Sequence, residues 1–176
     1  MAVTGDEFHM PDGSCYVVRR PSAETGGELV EMEFVLPAGC VPPPPHAHRS
    51  QVEEYEVLEG QLDVVVDGVW RTLGPGESAS VPIGLLHTFR NRSGQVVRVR
   101  NWHRPALRFE DFIESTCSTL RAAGVTRKRD PRVPFYLSMV MLDYQETLAP
   151  GRRRELVPMQ LMARIGRLMS RASGWE

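Results

Sequence analysis

Residues 46–60 have the sequence HAHRSQVEEYEVLEG, and this stretch holds the most informative side chains of the chain. In an extended strand, side chains two positions apart point to the same face. His46 and His48 therefore share a face, with the small Ala47 turned away. Two imidazoles presented together predict a shared role, and binding of a metal ion is the role that suits them best.

The acidic run that follows can supply a carboxylate ligand. By the same alternation, Glu53, Tyr55 and Val57 share one face, whereas Glu54 and Glu56 share the other. The face that carries Tyr and Val is the predicted interior, so we expect Glu53, rather than Glu54, to lie beside the histidines. The alternative is that all the glutamates form a solvated edge, which is common for acidic runs.

Turn residues downstream indicate short antiparallel strands. Asp67-Gly68 separates the β-rich runs 62–66 and 69–73, and an Asp-Gly pair in that setting predicts a hairpin with a type I′ turn. Many short strands with frequent turns, and no alternation of strands with helices, predict an antiparallel barrel or sandwich.

A third histidine, His87, follows the turn at Pro82-Ile83-Gly84. A single histidine near a turn is more often a structural hydrogen-bonding group, but here it completes a set. Three imidazoles and one carboxylate suit a divalent first-row metal such as zinc, iron, manganese, nickel or copper. The predicted ligands are His46, His48, Glu53 and His87.

Two groups of residues resemble the cupin motifs. The first motif is matched by Gly39, His46, His48, Glu53 and Gly60, with six residues rather than the usual five between Gly39 and His46. The second is matched by Gly76, Pro82, Gly84, His87 and Asn91. The resemblance implies a mainly β, cupin-type double-stranded β-helix (jelly-roll) barrel in which His46, His48, Glu53 and His87 bind one metal. The later part of the chain resembles a bacterial cupin subgroup with a helical tail.

Two further residues are candidates for catalysis. In the strand predicted over 95–103, Asn101 and His103 share a face with Val97 and Val99, which places His103 near the metal. Tyr55, on the face of Glu53, is a candidate general acid. The alternatives are that Tyr55 is a core aromatic residue and that His103 only ends its strand.

The period of the apolar residues becomes helical at Phe109, which predicts α-helices over about 109–123, 135–148 and 155–170. We therefore divide the chain into a barrel domain, 1–108, and a helical extension, 109–176, that packs on the barrel or on a dimer partner. In the last helix, we expect Leu161, Ile165 and Leu168 on the covered side and Arg164, Arg167 and Arg171 on the exposed side.

Composition places the chain among cytoplasmic globular proteins. Of its 176 residues, 41% are hydrophobic and 24% charged, which is ordinary for one soluble domain. It has no apolar run of about 18 residues and no basic-then-apolar leader at its start. Three scattered cysteines, Cys15, Cys40 and Cys117, argue against a disulfide framework and fit a reducing cytoplasm.

Charge is distributed unevenly along the chain. Residues 1–120 carry 17 acidic and 10 basic side chains, whereas residues 121–176 carry 5 and 11. The basic tail lacks helix-turn-helix or zinc-finger spacing, so no nucleic-acid partner is expected. A basic amphipathic last helix leaves contact with a membrane surface open as a weaker alternative.

These features together predict a small metal-dependent enzyme that acts on a small organic molecule, with dioxygenase, isomerase or cyclase chemistry all open. The alternative is a non-catalytic cupin that binds a small ligand or a structural metal, because a fold alone does not decide function. A metal that faces an open pocket favours catalysis, and a metal sealed by apolar residues favours a structural role. On resemblance, we expect a homodimer.

Overall fold

The computed structural model describes residues 1–127, 129–150 and 153–174. The strands are β1 (Glu7–His9), β2 (Cys15–Arg20), β3 (Val30–Leu36), β4 (His46–Ala47), β5 (Val52–Glu59), β6 (Leu62–Val66), β7 (Val69–Leu73), β8 (Ser78–Val81), β9 (His87–Arg90), β10 (Val97–Arg104) and β11 (Ala149–Pro150). The α-helices are α1 (Phe109–Ala122), α2 (Val133–Asp143) and α3 (Leu156–Ala172).

The strands form two antiparallel sheets. One has the order β1-β2-β3-β10-β5-β8 and the other the order β11-β4-β9-β6-β7. Their inner faces share one core, in which the ring of Phe89 lies 6.1 Å from that of Phe34 and 5.8 Å from that of Tyr55. Two packed antiparallel sheets followed by helices confirm the predicted class, a jelly-roll barrel with a helical C-terminal part.

Local rules place the turns and faces as predicted. Asp67 and Gly68 have positive φ angles of 48° and 83°, which a type I′ hairpin turn requires. Gly60 has a φ of 80°, and a Cβ added there would lie 2.8 Å from the carbonyl oxygen of Val96, so the position needs glycine. On β5, Glu53 and Tyr55 are buried, which confirms the predicted inner face.

Glu33 differs from the simple inside–outside pattern. It lies on the outer face of β3, yet it is only 5% exposed because the guanidinium groups of Arg19 and Arg98 cover it with hydrogen bonds of 2.7 to 3.0 Å. Burial alone would raise the pKa of Glu33, but the two arginines outweigh burial and lower it. The outer face of this sheet is therefore tied together by a shared ion-pair network.

Helix α1 follows its prediction. Its apolar stripe, made of Phe109, Phe112, Ile113, Thr116 and Leu120, is buried. The chain leaves the helix before Gly124, which has a φ of 63° in the left-handed region that favours glycine. This buried stripe packs the helix over the barrel.

The predicted helix over 135–148 is wrong at both ends, since α2 begins at Val133 and ends at Asp143. The chain turns after Tyr144 and forms β11, which pairs with β4 at Ala149–Ala47 and Pro150–His46. Periodicity in an apolar segment cannot separate a buried helix from a short strand. Pairing with β4, which covers an otherwise open sheet edge, decides the outcome.

The last helix does not turn its predicted apolar side toward the barrel, although Arg164 and Arg171 are exposed as predicted. Contact of that apolar side with a dimer partner stays a prediction. Leu161 and Leu168 are 59% and 65% exposed, and Ile165 is 37% exposed. The buried side consists instead of Met159, Ala163, Gly166 and Ser170. A Cβ at Gly166 would lie 2.7 Å from the carbonyl oxygen of Phe135, so small residues let α3 approach the backbone of α2 more closely than the leucine face could.

None of the helices in the described part of the chain is both long and apolar enough to cross a membrane. The division of the chain into two domains at residue 108 stays a prediction. Residues 128, 151, 152, 175 and 176 of the predicted extension lie outside the described part. Strand β11 nevertheless belongs to the second sheet, so the extension contributes a strand to the barrel.

Candidate metal centre

The four predicted ligands meet inside the barrel. His46 and His48 lie in and directly after β4, Glu53 lies in β5, and His87 begins β9. His46 pairs with His87 across the β4–β9 ladder. One ligand atom from each of the four residues lies within 4.8 Å of the others, and all four residues are buried. The four side chains therefore lie together, as the sequence predicted. Their binding of a metal stays a proposal.

Each of the three imidazoles is oriented by the backbone. The Nδ1 atoms lie within hydrogen-bond distance of carbonyl oxygens: His46 with Pro44 at 2.9 Å, His48 with Thr147 at 2.6 Å and His87 with Leu85 at 3.0 Å. A carbonyl can only accept, so Nδ1 carries the proton and a neutral ring keeps a lone pair on Nε2. Metal-binding histidines are typically held in this way.

The two carboxylate oxygens of Glu53 have different surroundings: one accepts a hydrogen bond, and the other faces the histidines. Its Oε1 accepts a hydrogen bond of 2.9 Å from Asn101 Nδ2. Its Oε2 lies 2.8 Å from His87 Nε2 and 3.4 Å from His48 Nε2. Among the described residues, neither Glu53 Oε2 nor His87 Nε2 has a hydrogen-bond partner. Two buried lone pairs this close repel each other unless a proton on His87 or a metal ion lies between them, and a divalent metal would satisfy both.

The charge states suit a cation site. Burial, and then the imidazoles of His87 and His48, lower the pKa of His46 to about 3. Burial would raise the pKa of Glu53, but the imidazoles of His103, His48 and His87 outweigh it and lower the pKa well below its usual range. Burial would likewise lower the pKa of His87, whereas the Glu53 carboxylate raises it. At neutral pH the carboxylate is ionised and His46 is neutral, as metal binding requires, whereas the raised pKa of His87 means that a metal must displace a proton there.

His103 lies directly beside this cluster. Its Nε2 is 3.3 Å from His48 Nε2 and 3.4 Å from Glu53 Oε1, and its ring stacks on Phe109 of α1 at 3.5 Å. Burial is the main cause that lowers the pKa of His103 well below its usual value. A neutral His103 can donate its Nε2 proton to His48 or to Glu53.

Tyr55 is fully buried in the core, one alternation step from Glu53. Burial and the neighbouring Glu53 carboxylate raise the pKa of Tyr55 well above its usual range, so its hydroxyl stays protonated. Within the described residues, that hydroxyl has no hydrogen-bond partner. The placement suits a donor toward the carboxylate as well as a core aromatic residue, so both interpretations of Tyr55 stay open.

Two contacts at the site were not predicted from the sequence. The carbonyl oxygen of Thr147, in the helical extension, orients His48. Gln51, which is fully buried, donates through Nε2 to the carbonyl oxygens of Pro105 and Ala106 and so ties the loop before Glu53 to the segment that leads into α1. A backbone carbonyl has no sequence signature, and a lone glutamine in a polar loop predicts nothing by itself.

The cluster opens into a large cavity. This cavity has a volume of about 570 Å³, and His46 and Glu53 are among its lining residues. The prolines 42–45 and the three helices form most of the remaining wall. Among the described residues, Tyr55 and His103 do not line this cavity. His46 and Glu53 are therefore the members of the cluster that a ligand in this cavity can reach.

Comparison with known proteins identifies the family of the central segment. Residues 32–103 match the family described as a cupin domain, a segment that contains the whole His/Glu cluster. A solved RmlC-like cupin from Shewanella frigidimarina NCIMB 400 is 25% identical, with a TM-score of 0.52 over 61% of this chain and 88% of that chain. Residues 32–103 are therefore identified as a cupin domain, and the solved cupin shares their fold.

Two curated relatives match parts of the chain. One is the HTH-type transcriptional regulator SutR of Escherichia coli K12, 40% identical over 53 residues, which are 30% of this chain and 29% of that protein. The other is the probable oxidoreductase patJ of Penicillium expansum, 34% identical over 92 residues, or 49% of this chain and 28% of that protein. The chain thus spans less than a third of either relative, and the two relatives belong to different classes, a transcriptional regulator and a probable oxidoreductase.

Proposed function

We propose that this chain is a metal-dependent cupin enzyme that acts on a small organic molecule, with one divalent transition metal held by His46, His48, Glu53 and His87. The observation that carries the proposal is the cavity of about 570 Å³ into which His46 and Glu53 open. A metal that only stabilised the fold would need no such access. A probable oxidoreductase is similar to this chain across 49% of the chain's length. Among dioxygenase, isomerase and cyclase chemistry, this similarity supports the redox type, a dioxygenase.

The chain's own residues prepare the site for a metal and a ligand. The three Nδ1–carbonyl hydrogen bonds hold the imidazoles, and Asn101 holds Glu53, so little reorganisation accompanies binding. A divalent metal with more than four coordination positions would supply Lewis-acid, template or redox chemistry there. Metal identity and reaction type both stay open.

The catalytic roles predicted for Tyr55 and His103 remain proposals, and their positions specify them further. Because neither lines the cavity, we expect both to act through Glu53. With the His48 lone pair engaged by a metal, the Nε2 proton of His103 has Glu53 Oε1 as its acceptor, at 3.4 Å. Such a contact would tune the charge of the carboxylate, which makes His103 a positioning residue.

Azide binding to the cobalt(II)-loaded protein tests whether the metal has an open position. We expect azide to change the visible spectrum in a saturable way, because the cluster faces a cavity large enough for a ligand. Cobalt-loaded protein that has first been saturated with a chelating hydroxamic acid is the control, since its open positions are filled. An unchanged spectrum in the uninhibited protein would support the alternative, a non-catalytic cupin with a structural metal.

A homodimer and a cytoplasmic location are also proposals. The first is supported by the family resemblance and the second by the sequence composition. Light scattering of the purified chain measures the first directly.

A further inference from the structure

The cavity beside the metal centre lies between the barrel and the helical extension. The barrel contributes Phe34 and Phe89 to its wall, and all three helices contribute the opposite side. A volume of about 570 Å³ is within the range of about 300–1,000 Å³ that is usual for small-molecule sites. The space therefore accommodates a ligand with a body well beyond the few atoms that reach the metal.

The helical side of this wall is almost entirely apolar. It is formed mainly by Phe112, Ile113, Leu137, Met141, Met159 and Met162. Three flexible methionine side chains let such a wall adapt to the shape of an apolar ligand. The proline run 42–45 adds a further apolar surface without backbone N–H groups.

The polar groups in the wall offer little to a polar ligand. The hydroxyl of Thr116 donates to the carbonyl oxygen of Phe112 at 2.8 Å. Burial raises the pKa of Cys117 to about 12, so this thiol stays neutral. Asp12 accepts hydrogen bonds from the backbone nitrogens of Ser14 and Val41, one at each carboxylate oxygen.

Apart from the metal centre and Asp12, the charged lining residues are Arg127 and Glu155, and both are exposed. Their exposure places them at the mouth of the cavity. A ligand that enters thus passes charged groups first and then apolar helices, and the charged groups beyond the mouth are Asp12 and the His/Glu cluster. Within the described residues, the His/Glu cluster thus lies at one end of a mainly apolar cavity, whose wall also includes Tyr16, Thr116 and Ser138.

We propose that the substrate is an amphipathic molecule. Its oxygen-bearing head lies at the metal centre, and its extended apolar body fills the part of the cavity beneath the three helices (the chamber). This inference rests on the proposed metal-dependent function. A sugar or a short dicarboxylic acid would leave hydroxyl or carboxyl groups without partners against the apolar wall, and buried polar groups without partners are costly. The helical extension is then the part of the chain that selects the substrate.

Binding of n-alkyl hydroxamic acids to the zinc-loaded full chain tests this assignment. The hydroxamate head chelates the metal, and the alkyl tail samples the chamber. From acetohydroxamic to decanohydroxamic acid, we expect the dissociation constant measured by calorimetry to fall about fourfold per added methylene until the chamber is full. A dissociation constant that does not change with chain length would overturn the proposal.

A pair of variants locates the effect in the chamber. Leu137→Trp fills part of the space and should weaken binding of decanohydroxamic acid by about 16-fold, the equivalent of two methylenes, with acetohydroxamic acid unaffected. Leu161→Trp makes the same change on the exposed side of α3 and should alter neither. Leu137→Ala, which enlarges the chamber, serves if the larger side chain prevents folding, and it should move the plateau to longer chains.

Zinc content measured before titration separates the two proposals. A chain that retains no zinc contradicts the proposed metal-dependent function, whereas a zinc-loaded chain without chain-length dependence contradicts only the amphipathic substrate. Titration of the zinc-free chain with n-alkan-1-ols tests the chamber alone. Tighter binding of decan-1-ol than of butan-1-ol supports the chamber, and equal binding counts against it.

Discussion

Glu53→Ala is expected to abolish stoichiometric metal binding, with a loss of affinity greater than the roughly 100-fold that removal of a supporting residue costs. Glu53 supplies the only carboxylate among the four clustered side chains, and its Oε2 faces the Nε2 atoms of His87 and His48. Without this charge, three neutral imidazoles hold a divalent ion with no compensating anion. Elemental analysis and metal titration measure the loss.

Glu54→Ala is the matched control, since Glu54 is the next residue on the opposite face of β5 and pairs with Arg104 at the surface. It should keep one metal per chain. Thermal unfolding with and without chelator adds a second readout, because a bound metal stabilises only the folded state. Chelator should lower the melting temperature of wild type and of Glu54→Ala, but not that of Glu53→Ala. Metal loss in Glu54→Ala alone would show that the wrong carboxylate was assigned.

His48→Ala is expected to have an effect of similar size. Its ring is held by the Thr147 carbonyl and presents Nε2 to the cluster, so its removal takes away one of four ligands. The remaining two imidazoles and one carboxylate are not arranged for a three-ligand site, so the ion is held less tightly and exchanges with chelator more readily. We expect the purified variant to contain well below one metal per chain.

The His103→Gln variant tests whether His103 binds the metal or only lies beside the residues that do. His103 lies within 3.4 Å of both His48 and Glu53, but it is not one of the four residues that converge. Glutamine keeps a hydrogen-bond donor, so the variant should retain one metal per chain with affinity reduced by about 10-fold to 100-fold at most. Complete metal loss in His103→Gln, together with full retention in His48→Ala, would reverse the assignment.

Strand alternation correctly predicted which side chains of β5 and β10 face the site. Glu53, Tyr55, Asn101 and His103 all face inward as their parity requires, because one face of each strand must be buried. The turn residues predicted the hairpin at Asp67 for an equally local reason. Where a choice depends on one strand or one turn, the sequence pattern contains enough information.

Predictions that depend on contacts between distant segments were wrong or missing. The orientation of α3 is decided by the close approach of Gly166 to Phe135, which overrides the more hydrophobic Leu161 face. The end of α2 is decided by pairing of β11 with β4. The Thr147 carbonyl reaches His48 across 99 positions. None of these contacts leaves a periodic signal in the sequence.

The central claim is that three histidines and one glutamate of this chain bind a single metal ion. X-ray absorption at the metal edge, on protein purified without chelator, measures it most directly. We predict one ion per chain, a coordination sphere of nitrogen and oxygen at about 2.0–2.2 Å for zinc, and the outer scattering of three imidazoles. A sulfur ligand, fewer than two imidazoles, or a chain that carries no metal would contradict the account.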